Sequence, residues 1–412
     1  MASGVSAPLA RRGPRPLALH LMGSAMRAMA AMSQTPSPGA WPSWNAGWPR
    51  SSAGKTEAAR IAQALPQALL NANAAPDAFR AAVWRRLHEQ DRALLAGIAA
   101  YRRHPHQRAL AEPPVFWREG AARILDYGRP SDPPVLFIPS LVNRAHVLDL
   151  DEGASLMRWL AGQGLRPLLL DWGWPGPAER RFTLTDHIAG RLDRALAAIP
   201  GPVALVGYCM GGLLALAAAQ RRPEKLSGLA LLATPWDFHA QGAAQARGLA
   251  ACLPGFEPML QAHGALSVDA LQTLFATLDP FAIAEKFRAF GRLEQDSPRA
   301  RRFVVLEDWL NDGVPLAAPV TRECLTGWYG RNEPGRGEWL VAGLPVRPEG
   351  YAGRVFIAVP QRDRIVPPAS ALPLAAMPGA TLHMAASGHI GMVAGERAEA
   401  ALWRPLRDWL RG

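Results

Sequence analysis

The residues best placed to do chemistry are a cysteine, an aspartate and a histidine, each directly behind an apolar run. Cys209 lies in Gly207-Tyr208-Cys209-Met210-Gly211-Gly212, between the apolar Val203-Ala204-Leu205-Val206 and the helix-forming Leu213-Leu214-Ala215-Leu216-Ala217. A strand that turns sharply into a helix lifts its central side chain into the open, and only small flanking residues allow the close packing this demands. The helix start would set the positive end of its dipole under the sulfur and free the Met210 N–H as a donor to an oxyanion. Taken alone, the pattern fits a small buried cysteine in a tight turn equally well. Two further pieces decide between these readings. Arg354-Val355-Phe356-Ile357-Ala358-Val359-Pro360 runs into Gln361-Arg362-Asp363-Arg364, and Thr381-Leu382-His383-Met384 runs into Ser387-Gly388-His389-Ile390-Gly391. A thiol, an imidazole to take its proton and a carboxylate to orient that imidazole form an acyl-transfer set, and the chain order here is nucleophile, acid, histidine.

These loops can converge only if the runs before them are neighbouring strands. Strands are predicted at 122–127, 135–139, 167–171, 203–206, 228–233, 355–359 and 381–384, with the clearest helices at 154–163 and 184–199. The alternation predicts the α/β class, a mostly parallel, doubly wound sheet with helices on both faces, and the order of the three residues is that of the α/β-hydrolase fold. Between 237 and 350 the pattern turns largely helical, at the place where a lid would cover the site. Leu65, Leu69, Phe79, Val83, Leu87, Leu94, Leu95 and Ile98 recur at roughly helical spacing. The expected organisation is therefore a poorly ordered arm over 1–55, with a Pro/Ser/Trp-rich linker at 35–52, a helical extension over 56–112, and a catalytic domain over 113–412.

With 412 residues, 49% of them hydrophobic, the chain can bury a full sheet core. The formal charge of +11 comes from arginine apart from Lys55, Lys225 and Lys286. With no basic helix or aromatic-basic module, nucleic acid is not expected as a partner; the charge reads as a basic but scattered surface, the alternative being attraction of an anionic partner such as a phosphorylated carrier. Three cysteines, at 209, 252 and 324, are too few for a disulfide framework and point to a reducing, cytoplasmic setting. No run approaches the ~20 apolar residues of a membrane span. No metal or cofactor signature emerges. Gly54-Lys55-Thr56 has Pro49 where a phosphate loop needs its first glycine, and His104-Pro105-His106 lacks further ligands. His146, Asp171, Asp237, Cys252, Cys324 and the tryptophans read as structural.

From about residue 113 onward the chain resembles the polyhydroxyalkanoate synthases, above all the short class III catalytic subunit. The resemblance rests on Leu125-Asp126-Tyr127-Gly128, Phe137-Ile138-Pro139-Ser140-Leu141-Val142-Asn143, Asp171-Trp172-Gly173-Trp174-Pro175, the cysteine turn, Thr234-Pro235-Trp236-Asp237-Phe238, Asp363-Arg364-Ile365-Val366-Pro367-Pro368 and Gly388-His389-Ile390-Gly391-Met392. It implies polymerisation of 3-hydroxyacyl-coenzyme A into polyester such as poly-3-hydroxybutyrate, with coenzyme A released. The catalytic residues would be Cys209, His389 and Asp363, and the oxyanion would lie between the N–H of Met210 and that of Leu141 or Val142, with Leu141 preferred. The ligands implied are the acyl-coenzyme A substrate and the growing chain, with no resident cofactor. The resemblance also allows a partner subunit or homodimer and a place at the polymer granule surface. The roughly 110 residues before the core exceed what a class III subunit carries and fall short of the single-subunit classes. The competing reading keeps the scaffold and nucleophile but uses water as acceptor, making a thioesterase or an intracellular polyester depolymerase.

Overall fold

The computed structural model describes residues 11–33, 52–71, 76–279 and 281–412, so most of the linker expected at 35–52 lies outside the described residues. The chain forms two compact units, one of Met1–Pro105 with Asp279–Val304 and one of His106–Leu278 with Val305–Gly412. Residues 279–304, expected within the lid, therefore belong with the helical extension, which ends at Pro105 rather than at 112.

The larger unit is built on eight strands: β1 Val115–Glu119, β2 Ala122–Asp126, β3 Pro134–Ile138, β4 Arg166–Asp171, β5 Val203–Tyr208, β6 Leu226–Leu232, β7 Val355–Pro360 and β8 Ala380–Ala385. Their order is β1-β2-β4-β3-β5-β6-β7-β8. From β4 to β8 every pairing is parallel, while β1 and β2 join antiparallel at one edge. The expected mostly parallel sheet is thus present. Each central strand is apolar on both faces, as a sheet covered on both sides requires. Leu136, Leu168, Leu170, Leu205 and Leu229 enter one core, and Val135, Phe137, Leu169, Val206 and Ala230 enter the other. The alternation is the two-residue period of a strand, so each residue commits its neighbours to the opposite layer.

The seven expected strands appear within two residues of their predicted ends. β1 was not anticipated: Val115-Phe116-Trp117-Arg118-Glu119 is half exposed and paired on one side only, so its composition carries no clean alternation. The helix expected over 184–199 divides into a π-helical turn, Asp186–Leu192, and the short α-helix Asp193–Ala197. The insertion is helical as expected, with two pairs of two-residue strands.

In the smaller unit, helices Leu17–Ser33, Pro76–Arg103 and Ala282–Phe290, with the start of Pro298–Asn311, pack around Leu94, Ile98, Tyr101, Phe287 and Phe290. A helix therefore occupies part of the arm expected to be poorly ordered, tied down where Arg27 meets Asp91 at 3.1 Å. Leu95, counted with the apolar pattern, is 53% exposed; the stripe that is buried runs through Leu87, Leu94 and Ile98. A Cβ on Gly97 would overlap the Phe287 carbonyl, and His104 hydrogen-bonds the Gln295 carbonyl at 2.6 Å.

Candidate active site

β5 ends at Tyr208, and the chain turns into the helix Met210–Arg221 through Cys209, whose φ of 57° and ψ of −128° are unusual for a residue with a side chain. Such strain persists only where the surroundings impose it. They do so here: the Cys209 N–H donates to the Leu232 carbonyl at 2.8 Å and its carbonyl accepts from Gly212 at 2.9 Å. A Cβ on Gly207 would run into Gly212, one on Gly211 into the Ile138 carbonyl, and one on Gly212 into Thr234. The three glycines are what lets the helix start lie against β3 and the segment after β6. In register, Gly207 sits between Ile138 and Leu231, which sets the loop after β3 beside the cysteine turn.

β7 and β8 run parallel, with Pro360 opposite Ala385, so the loops that follow leave the sheet at one edge. Asp363 is buried in the first. Its Oδ1 accepts from the N–H groups of Ile365 at 2.8 Å and Val366 at 2.9 Å, and its Oδ2 lies 2.6 Å from His389 Nδ1. A carboxylate with both oxygens engaged holds a fixed direction, and it fixes the proton of His389 on Nδ1, leaving Nε2 for the sulfur. Burial by itself lowers the His389 pKa, but negative charge at Cys209 and hydrogen bonds to Asp363 and Cys209 outweigh it and raise it to about 10. Tyr208 supports the ring, with centroids 5.2 Å apart and its hydroxyl 3.3 Å from the His389 carbonyl.

Met210 is the first residue of the helix, and its N–H is one of the donors that a helix start leaves unbonded within the helix. In the loop after β3, the Val142 N–H is taken by Ser140 Oγ at 3.2 Å. Leu141 turns its side chain into the core, between two residues that wall a cavity. That cavity, about 210 Å³, also has Cys209 and Met210 in its wall. The insertion supplies much of the remainder through Leu271, Leu274, Phe275, Trp328 and Tyr329. Sequence reasoning did not single out the first three or Tyr329. Their signal was the recurrence of Val268, Leu271, Leu274, Phe275 and Leu278 at helical spacing, which marks an apolar helix face without saying what it faces.

The alpha/beta hydrolase fold family matches residues 133–256. Among solved structures, the thioesterase domain of a curacin biosynthetic pathway is similar over 71% of this chain and 98% of its own, at 19% identity and a TM-score of 0.43. A monoacylglycerol lipase from Paleococcus ferrophilus is similar over 70% of this chain and 98% of its own, at 17% and 0.44. Among curated proteins, the poly(3-hydroxyalkanoate) polymerase subunit PhaC of Haloferax mediterranei is 28% identical over 309 residues, 72% of this chain and 63% of that one. The subunit of the same name from Synechocystis sp. is 30% identical over 293 residues, 67% of this chain and 77% of that one. This chain belongs to the poly(3-hydroxyalkanoate) polymerase family.

Within this family member, the remaining conspicuous residues have local partners. Asp171 accepts from Arg123 at 3.1 Å and the Gly173 N–H at 3.0 Å, and Asp237 from the His239 N–H and Asn332 Nδ2, both at 2.8 Å. Burial, with Arg108 and Arg144 adding to it, lowers the His146 pKa to about 4. His106 pairs with Asp151 at 3.0 Å. Cys252, read from sequence as a packing residue, is exposed, while Cys324 is buried and lines the cavity. Among the described residues no group of three or more His, Cys, Asp or Glu could hold a metal, and no helix is long and apolar enough to cross a membrane.

Proposed function

We propose that this chain polymerises 3-hydroxyacyl-coenzyme A into polyester through Cys209, His389 and Asp363. The observation that carries the reading is the 2.6 Å bond aligning His389 behind a strained, turn-borne cysteine, in a chain of the polymerase family. The Cys209 thiolate attacks the thioester carbonyl, the oxyanion rests on the N–H groups of Met210 and Leu141, and the coenzyme A sulfur departs with a proton from His389. The enzyme-bound thioester keeps its reactivity, because one sulfur ester has replaced another. A hydroxyl of a second 3-hydroxyacyl unit then gives its proton to His389 Nε2 and its oxygen to the acyl carbon, an ester forms, and the Cys209 thiolate is restored. Coenzyme A thioester enters as substrate, and the sequence of bonds needs no resident cofactor or metal. A partner subunit or homodimer, and a cytoplasmic location at polymer granules, belong to the same proposal.

The largely apolar wall of the cavity beside Cys209 supports an acyl chain as its occupant. The test is thiol release from 3-hydroxybutyryl-coenzyme A, with polymer and free acid separated, beside Cys209→Ala. Polymer and thiol that fall together by about a thousandfold or more in the variant are expected. Free acid as the sole product of wild type would replace this reading with the thioesterase or depolymerase.

A further inference from the structure

Trp172 directly follows β4, and its indole N–H donates to the Pro139 carbonyl at 3.1 Å in a buried hydrogen bond. β3 and β4 are parallel neighbours with Phe137 opposite Leu169, so the chain leaving β4 runs beside the chain leaving β3. The tryptophan is firmly seated. The next residue, Gly173, has a φ of 71° and lies so close to β2 that a Cβ there would overlap the Ala121 carbonyl, and the indole meets His187 edge-on at 5.2 Å. On its other side the Pro139 carbonyl lies against the cysteine turn, since a Cβ on Gly211 would stand 2.7 Å from that oxygen. The carbonyl is thus caught between the indole and the start of the helix that Cys209 leads into. Beyond it, Ser140 Oγ takes the Val142 N–H at 3.2 Å, and the Val142 carbonyl accepts from the Val314 N–H at 3.2 Å. Among the described residues, no hydrogen bond occupies the Leu141 N–H that lies between these held groups.

Resting on the assignment of Cys209 as nucleophile and Leu141 as an oxyanion donor, we propose that Trp172 is a positioning residue for the oxyanion site. Its N–H fixes the Pro139 carbonyl and with it the plane of the Pro139–Ser140 peptide, because the peptide unit is planar. The Leu141 N–H belongs to the next peptide, so the indole sets the direction from which that donor is presented. Donors to developing charge work through prior alignment, and a misplacement of about 1 Å can cost up to ~10²-fold in rate. An indole N–H is a donor only and exchanges no proton with substrate, so Trp172 acts through the carbonyl it holds. Its influence is confined to the steps that form an oxyanion: attack of Cys209 on the incoming thioester, and attack of the acceptor hydroxyl on the acyl enzyme. A reaction of Cys209 that forms no oxyanion is indifferent to it.

The test compares two reactions of Cys209 in wild type and in Trp172→Phe, which keeps an aromatic ring and removes the N–H. Thiol release from 3-hydroxybutyryl-coenzyme A passes through an oxyanion. Alkylation by iodoacetamide, followed by mass spectrometry of the Cys209 peptide, displaces iodide from a saturated carbon and forms none. In the variant, kcat for thiol release should fall about tenfold, less than the ~10²–10³ for outright loss of an oxyanion donor, with KM changing less than about twofold. The alkylation rate and its pH profile should match wild type. Thermal unfolding checks the fold, and the same measurements on protein carrying benzothienylalanine in place of Trp172, with sulfur for N–H in the same ring system, decide the matter if phenylalanine does not fill the site. Unchanged kcat overturns the proposal. So does alkylation that falls as far as thiol release, which would trace the effect to a disturbed cysteine turn. Thiol release that survives Cys209→Ala would overturn the nucleophile assignment on which the proposal rests, and that failure is distinguishable because it appears with Trp172 intact.

Discussion

The sheet and the insertion between β6 and β7 reach the same cavity by opposite means. The sheet delivers Cys209, Asp363 and His389 on loops fixed by strand register and by backbone donors: Leu232 and Gly212 hold the cysteine, and Ile365 and Val366 hold the acid. The insertion delivers side-chain bulk, Leu271, Leu274, Phe275 and Trp328, on short helices joined by two-residue strand pairs and a π-turn. Backbone hydrogen bonds define direction sharply, whereas apolar walls define volume and polarity. The difference teaches that, in the proposed reaction, the sheet would set reactivity and the insertion the choice of substrate and acceptor.

Three experiments break or sharpen that division. The largest effect belongs to the sheet: Asp363→Asn should lower thiol release by about 10²–10⁴-fold with KM little changed, because His389 loses its orienting partner. The same variant carries a pH signature. The folded chain holds the His389 proton up to about 10, above the ordinary 6.5, so the stability it contributes is full below about 6.5 and is lost as pH rises through about 10. With one of its two anionic partners gone, the fall in stability across that interval should shrink, as read by urea unfolding at several pH values.

Next in size is Gly212→Ala, whose methyl group would overlap Thr234, a residue 1% exposed with no room to yield. It should destabilise the protein by about 1–3 kcal/mol in urea unfolding, the usual range for an overpacked core. A stability equal to wild type would mean that the helix start is not held as closely as the glycine spacing indicates.

The smallest effect belongs to the insertion. Phe275→Ala should raise kcat/KM for longer 3-hydroxyacyl chains relative to 3-hydroxybutyryl by about tenfold, the scale of a methylene or two in an apolar pocket. Cys209 alkylation should be unchanged. If this variant instead abolished turnover as Asp363→Asn does, the wall would be part of the reactive machinery and the division would fall.

The same contrast explains what could be read before the structure. The central strands were legible because burial on both faces forces continuous apolar runs, and the loops carrying Cys209 and Asp363 were legible because each follows such a run directly; His389 follows the edge strand β8, whose Leu382 and Met384 signal a strand although both are exposed. β1 escaped because Val115-Phe116-Trp117-Arg118-Glu119 offers neither a continuous apolar run nor a clean alternation. The cavity wall escaped for a different reason. Leu271 and Phe275 announce an amphipathic helix, but the surface they meet belongs to residues far away in sequence, and Tyr329 depends on a π-turn that no local pattern distinguishes from an α-helix. The grouping of 279–304 with the first hundred residues was equally hidden, because only tertiary packing joins them.

That grouping sets an order of events during synthesis. His104 and the Gln295 carbonyl it bonds lie 191 residues apart. At the usual ~5–20 residues per second, roughly 10–40 seconds separate their emergence from the ribosome. Throughout that interval Leu94, Ile98 and Tyr101 wait without Phe287 and Phe290, while the strands from β1 to β6, made in between, can already begin to pair. The first helices made are therefore among the last to be completed, and a nascent chain halted before residue 279 would display an uncovered apolar face to whatever chaperone reaches it.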